Sequence, residues 1–324
     1  MRAFARDRYG SPDVLELQEV AKPELTDEGV LVRVHATSVN AYDWHMLRGK
    51  PYIARLDEGV RRPKSSILGL DVAGIVEAVG AAVTHVKPGD RVFGSRSGAF
   101  AEYVSGRSMV SMPANLTFEQ AAAVPVAGQT ALQGLRDRAG VKAGQRVLIN
   151  GAGGGVGTFA VQIAKAYGAE VTAVTGPRRV EMVRSIGADR IIDYTTDDFT
   201  RDGQRYDVIF DVGGNRPLSH LRRALTPDGT AILVAPAAGQ WIGPIARVIG
   251  AVVTSRFRPQ KVRPFLSSVS RDDLLVLKDL VESGKVTPVV DRVYPFEEVP
   301  EAIRHVEGGH AAGKVVISLA RLEG

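Results

Sequence analysis

Short apolar runs separated by turn residues fill the first 115 positions. Val30-Leu-Val-Arg-Val34, Gly74-Ile-Val-Glu-Ala-Val79, Arg91-Val-Phe93 and Ala101-Glu-Tyr-Val104 each read as an extended segment, so this part is predicted to be a mostly β module. The pattern changes at Thr117-Phe-Glu-Gln120, a capping box predicted to open an alanine-rich helix over 118–124. Pro125 ends that helix before a second helical segment through Gln129 and Leu132. From Gln145 to about Val234, strands alternate with amphipathic helices. The strands are Val147–Ile149, Val171–Val174, Ile191–Ile192, Val208–Phe210 and Ala231–Val234, and the helices span 156–167, 178–186 and 216–225. That alternation predicts an α/β fold, a doubly wound parallel sheet with helices on both faces. The C-terminal part holds an amphipathic segment from Asp272 to Ser283, then Val289-Val290, a short helix near Pro300 to Val306 and the apolar strand Lys314-Val-Val-Ile317. It is expected to return and complete the first module. The expected division is 1–120 with 261–324 in one domain and 121–260 in the other.

Composition narrows the classes. A length of 324 residues suits two domains, and 44% hydrophobic with 24% charged residues is ordinary for globular chains. Arg247 and Arg256 break the most apolar late segment, between Trp241 and Phe257. No stretch therefore reaches the ~18 uninterrupted apolar residues of a membrane span. Met1-Arg-Ala-Phe-Ala-Arg-Asp7 has no apolar signal core, and the expected location is cytoplasmic, without a membrane partner. Cysteine is absent, which excludes disulfides, thiol nucleophiles and cysteine-ligated zinc. The 41 basic and 36 acidic residues are interspersed, with no basic cluster denser than Arg61-Arg-Pro-Lys64, so nucleic acid is not an expected partner.

The most informative stretch is Val147-Leu-Ile-Asn-Gly-Ala-Gly-Gly-Gly-Val-Gly157, followed by the apolar helix pattern Phe159, Val161, Ile163, Ala164 and Tyr167. It reads as strand, glycine-rich turn, helix. Such a turn brings backbone close to a pyrophosphate, whose charge the N–H groups of the new helix stabilise. The strict G-x-G-x-x-G spacing is not met, since the matching frame is Ala152-x-Gly154-x-x-Gly157. The strand before it, the helix after it and the next strand on schedule point to a dinucleotide.

The second strand of such a unit ends near the adenosine ribose, where a carboxylate would bond the 2′-hydroxyl of NAD. Here the chain runs Thr175-Gly-Pro-Arg-Arg179, with a hydroxyl and two guanidinium groups suited to the 2′-phosphate of NADP. Alternatively, Arg178 and Arg179 merely solvate the first turn of a helix. Positive charge at a helix N-terminus is unfavourable unless an anion is near, which favours the phosphate.

Further pieces fall in a recognisable order: Val39-Asn-Ala-Tyr-Asp43 with Arg48-Gly49, Gly69-Leu-Asp-Val-Ala-Gly-Ile-Val-Glu-Ala-Val-Gly80, Gly89-Asp-Arg-Val92 and Gly98-Ala-Phe-Ala-Glu-Tyr103. After them come Ala123-Val-Pro-Val-Ala-Gly-Gln-Thr-Ala131, the Gly151–Gly157 turn, Gly187-Ala-Asp189 with Asp193-Tyr194, and Gly313-Lys-Val-Val-Ile317. Together they resemble the medium-chain dehydrogenase/reductase superfamily, in its zinc-free quinone oxidoreductase (zeta-crystallin-like) branch. The resemblance implies a GroES-like, mostly β catalytic domain built from both chain ends, a Rossmann domain between them, and substrate in the cleft. Carried over by position, Thr130, Gly154, Gly155, Val156 and Gly157 would lie along the nicotinamide and pyrophosphate, and Thr175, Arg179 and Tyr194 would hold the 2′-phosphate. Val212, Gly213, Ala235 and Lys314 would add further cofactor contacts. Zinc-dependent relatives carry a His and a Glu directly after the glycine matching Gly69, where this chain has Leu70 and Asp71. No metal site is expected.

Hydride transfer from a reduced nicotinamide needs an acceptor held near the ring and a proton supplied by a side chain or water. The candidates for catalysis are Asn40, Asp43, His45 and Tyr52, with Tyr42 beside them. His45 stands where many quinone reductases have tyrosine; alternatively, it and Trp44 only pack a surface helix. Asn40 and Asp43 suit either a loop-shaping or a cofactor-contact role. The expected activity is NADPH-dependent, zinc-free reduction of a quinone or an α,β-unsaturated carbonyl by a homodimer that pairs edge strands near Val252-Val-Thr254. The rivals are an enoyl-thioester reductase, whose carrier Arg55, Arg61, Arg62 and Lys64 would meet, and a non-catalytic NADPH-binding protein.

Overall fold

The N-terminal third is extended, as its short apolar runs require. Its strands are β1 (Arg2–Ala5), β2 (Glu16–Glu19), β3 (Val30–Val39), β4 (Asp71–Val79), β5 (Arg91–Ser95), β6 (Tyr103–Gly106) and β7 (Met109–Ser111). Helices α1 (Ala41–Arg48) and α2 (Arg55–Glu58) interrupt them after β3. The structure is a computed structural model and describes residues 1–52, 55–214, 216–234, 251 and 259–319. The expected edge at Val252–Thr254 and the expected contact Ala235 lie outside the described residues.

Thr117 and Gln120 close their capping box in both directions, at 3.3 and 3.0 Å, and open α3 (Phe118–Ala122), which ends two residues before the expected limit. Pro125, whose missing N–H costs nothing in a first helical turn, heads α4 (Pro125–Gln133). The alternating stretch then gives β8 (Arg146–Asn150), α5 (Gly155–Ala166), β9 (Glu170–Thr175), α6 (Val180–Ser185), β10 (Arg190–Asp193), β11 (Tyr206–Asp211), α7 (Leu218–Ala224), β12 (Leu225–Leu233) and β13 (Lys261–Pro264). These six strands are all parallel, in the order β10-β9-β8-β11-β12-β13, the doubly wound dinucleotide-binding order. Strands covered on both faces read as continuous apolar runs, and β9 is buried from Val171 to Thr175.

Two expectations need correction. The helix expected over 178–186 starts at Val180, because Pro177–Arg179 form a separate 3₁₀ turn. Lys261–Pro264 was assigned to the other domain but pairs with β12, Ala231 facing Val262. Its alternation of charged and apolar residues hid a parallel strand, outermost among the described strands of this sheet, with one buried position, Val262.

The remaining elements are α8 (Arg271–Glu282), β14 (Val290–Pro295), α9 (Val299–Glu307) and β15 (Lys314–Ser318). They complete the first sheet, ordered β14-β15-β3-β4-β5-β7 with β6 also on β3. β3 therefore bonds three strands and is almost wholly buried, which is why it runs on to Val39 rather than stopping at Val34. Its core joins distant parts of the chain, with Phe4, Leu47, Phe100, Phe296, Ile303 and Ile317 in one cluster. Arg48 of α1 and Glu307 of α9 add a two-pronged ion pair at 2.8 and 2.9 Å.

The compact units are 1–127 with 269–282 and 288–324, and 128–268 with 283–287. Side-chain amides mark the second unit's limits. Gln133 bonds both backbone groups of Ser268 at 2.7 and 3.0 Å, and Gln162 of α5 bonds both backbone groups of Thr287 at 3.0 and 2.8 Å.

Candidate cofactor and substrate sites

In the parallel unit the glycine turn joins β8 to α5, beside the point where strand order reverses between β8 and β11. Gly151 takes φ +89°, and Gly154 is the N-cap of α5, so Gly155, Val156 and Gly157 form its first turn. A methyl group on Gly157 would overlap the Gly151 carbonyl, so only hydrogen lets helix and turn close together. At the ends of β8 and β11, Asn150 donates to Asp211 at 2.7 Å, and Asp211 accepts the Gly214 N–H at 3.0 Å. The Asn150 carbonyl accepts from the N–H groups of Val212 and Gly213 at 3.0 and 3.1 Å. The two loops at the switch point are thus tied by backbone and side chain alike.

The residues expected to choose the cofactor come together at the end of β9. A methyl group on Gly153 would stand 2.5 Å from Arg179 Cδ and 2.6 Å from Thr175 Oγ1, so these side chains lie against the glycine turn itself. Tyr194 follows β10, and its hydroxyl would be 3.1 Å from a methyl on Gly176. Thr175 is 2% exposed, yet among the described residues its hydroxyl has no hydrogen-bond partner. A buried hydroxyl without a partner costs ~1–3 kcal/mol, which an acceptor oxygen of a bound phosphate would relieve. The donor set of hydroxyl, guanidinium and phenol, with no carboxylate on β9's final residues, fits a 2′-phosphorylated dinucleotide. Arg178 shares the 3₁₀ turn with Arg179. Thr130, on α4, is nearly buried, with its hydroxyl 2.8 Å from that of Ser267.

In the other unit, Asn40, Asp43 and Lys314 converge with Asp71. Asn40 caps α1, and Asp43 three residues on accepts its N–H at 2.7 Å and that of Gly69 at 3.1 Å. The Asn40 carboxamide donates to Asp71 Oδ2 at 2.8 Å and accepts from the Lys314 ammonium at 2.6 Å. That ammonium also donates to Asp71 Oδ2 at 3.1 Å and to the Val39 carbonyl at 3.3 Å. Asp71 accepts further from Ser38 Oγ at 2.5 Å and from the Val126 N–H, in the first turn of α4, at 2.8 Å. Burial pushes the Asp43 carboxyl up to about 7, the Asp71 charge adds to the rise, and the two N–H donors and Lys314 oppose it. Lys314, expected against the cofactor, instead spends three hydrogen bonds inside this cluster.

His45 stacks on Trp44, ring centroids 3.6 Å apart, and its Nδ1 lies 3.1 Å from the Lys50 carbonyl. A carbonyl only accepts, so Nδ1 carries the hydrogen. Burial holds the imidazole below its ordinary range, so at neutral pH Nε2 is an acceptor. Burial and the charge of Glu58 raise the Tyr42 phenol to about 12. Tyr52 lies against the Arg55 guanidinium, 4.8 Å from its ring centroid, and Tyr9 faces the same guanidinium at 4.3 Å.

Sequence reasoning gave Asp71 no role. A carboxylate inside the apolar run Gly69-Leu-Asp-Val-Ala73, with a lysine opening another apolar strand, was the available signal, since buried charges require partners.

A parallel sheet in this order, a glycine turn at its switch point and phosphate-suited side chains beside the second strand define a dinucleotide-binding fold. Residues 26–115 match the alcohol dehydrogenase GroES-like domain, and residues 186–317 match the zinc-binding dehydrogenase family. The NADPH-dependent alkenal/one oxidoreductase of Arabidopsis thaliana is 35% identical, over 98% of this chain and 79% of that protein. The chloroplast envelope quinone oxidoreductase homolog of the same plant is 33% identical, over 98% of each chain. The solved quinone oxidoreductase from Coxiella burnetii superposes with a TM-score of 0.87 at 28% identity, over 99% of each chain. The chain belongs to the medium-chain dehydrogenase/reductase superfamily, in its quinone oxidoreductase-like branch, and is an oxidoreductase that uses NADP.

Proposed function

We propose that this enzyme is a zinc-independent, NADPH-dependent reductase that delivers hydride to a quinone or an α,β-unsaturated carbonyl. One observation carries it: the buried hydroxyl of Thr175, without a partner among the described residues, beside Arg179 and against the glycine turn. The acceptor class follows the names of the relatives, an alkenal/one oxidoreductase and quinone oxidoreductases. Bound NADPH would supply the hydride. Thr175, Arg179 and Tyr194 would hold its 2′-phosphate, and the first turn of α5 its pyrophosphate. Zinc independence is supported by the lack of cysteine and by Asp71 being committed to Lys314, Asn40 and Ser38.

Replacing Arg179 with Glu tests the cofactor site. A hydrogen bond to a charged group contributes ~1.5–3 kcal/mol, so the NADPH dissociation constant should rise roughly 10- to 100-fold and the NADH constant should hardly change. Equal changes would remove the phosphate assignment. Steady-state turnover of small quinones and enones, before and after dialysis against a chelator, tests the acceptor and the metal together. His45, neutral and an acceptor at Nε2, is not the proton donor on this reading. His45→Gln should then retain kcat within about threefold, whereas loss of an acid catalyst costs roughly 100- to 10,000-fold. On the family resemblance the enzyme is a homodimer, which sedimentation velocity checks; the cytoplasmic location expected from the sequence is checked by cell fractionation.

A further inference from the structure

We infer that Lys314 and Asp71 are positioning residues for hydride transfer: their buried pair fixes the carboxamide of Asn40 and the first turn of α4. The pair is 3.1 Å long, with Lys314 3% and Asp71 0% exposed. An ammonium only donates and a carboxylate only accepts, so the amide between them has one permitted orientation, Oδ1 toward Lys314 and Nδ2 toward Asp71. Nδ2 carries two hydrogens and Asp71 takes one. The other is held in a set direction, suited to an oxygen on which negative charge grows. Asp71 Oδ1 meanwhile takes the Val126 N–H, so one carboxylate sets both the N-cap of α1 and the start of the helix that carries Thr130.

Stability does not account for the arrangement. Desolvating each ion costs several kcal/mol, and buried pairs replaced by neutral groups of similar size often leave stability unchanged or improved. What the pair supplies is direction. Ser38, bonded to the same oxygen at 2.5 Å, removes further freedom from the carboxylate.

This rests on the reductase function proposed above. The test is the double variant Lys314→Met with Asp71→Asn, which leaves no uncompensated buried charge, compared with Lys314→Met alone. In the full-length double variant, the melting transition and the NADPH dissociation constant should stay near those of the parent, because the phosphate residues belong to the other unit. Its kcat with a quinone should fall roughly 10- to 100-fold, the scale of a misplaced reacting group. The isotope effect on kcat with NADPH deuterated at the transferred position should rise as the chemical step becomes limiting. A folded double variant with parental kcat and isotope effect would overturn the proposal, and so would a double variant that fails to fold, since the pair would then be a stability element. A parent chain inactive with every acceptor would instead count against the reductase function itself.

Discussion

Asp43 shows how a single carboxyl can serve a fold while straining its own ionisation. Both its oxygens accept backbone N–H groups, yet it is fully buried and faces Asp71, so it holds a proton up to about pH 7 against an ordinary value of 3.8. Between those two values the folded chain keeps a proton that the unfolded chain has released. Stability from this group therefore falls as pH rises through that window and levels off above it. Asp43→Asn titrates nowhere in the range. Its unfolding free energy relative to the parent should improve by on the order of 1 kcal/mol per pH unit between pH 4.5 and 6.5, as followed by urea denaturation. At this scale the sequence was partly legible. Thr175, Arg179 and Tyr194 stood out because a charge of unexpected sign follows a strand. Asp71 did not, because its partners come from β3, β15 and α4, and no local spacing reveals a three-way meeting. Lys314 was singled out for a different neighbour, since a lysine opening an apolar strand signals only that some anion lies near.

Elements whose limits are set locally were read closely, and those set by distant partners were not. The capping box at Thr117 and Gln120 and the glycine turn before α5 act through residues within one turn, so both fell where expected. β3 extends five residues beyond its apolar core segment because β15 pairs with Val39, Ser38, Thr37 and Ala36, information held some 275 residues away. β13 escaped because it is short and buries only one position, Val262. The glycine turn makes the sharpest claim at this level. In Gly157→Ala the new methyl would overlap the Gly151 carbonyl and stand 2.7 Å from Ala152 Cα. Turn and helix must separate, at a cost of roughly 1–3 kcal/mol by chemical denaturation. NADPH and NADH should both bind more weakly, unlike the one-sided effect at Arg179.

At the level of the whole chain, the return of the C-terminal segment to the first module was visible in its apolar strand, whereas the line between units was not. That line falls inside α4, where no turn or composition shift marks it, and the excursion of 283–287 depends on one glutamine of α5 meeting Thr287. The insertion of β15 beside β3 has a consequence for synthesis. A ribosome working at ~5–20 residues per second needs roughly 15 to 55 s to travel from the codon for Val39 to that for Lys314. Until then the end of β3 from Ala36 to Val39 lacks its β15 partner, although β6 already covers Val30 to Arg33 on that flank, while the parallel sheet can assemble before β15 is made. The nascent N-terminal portion must wait, half-zipped, on the last stretch of message, and that delay is when chaperone protection matters most.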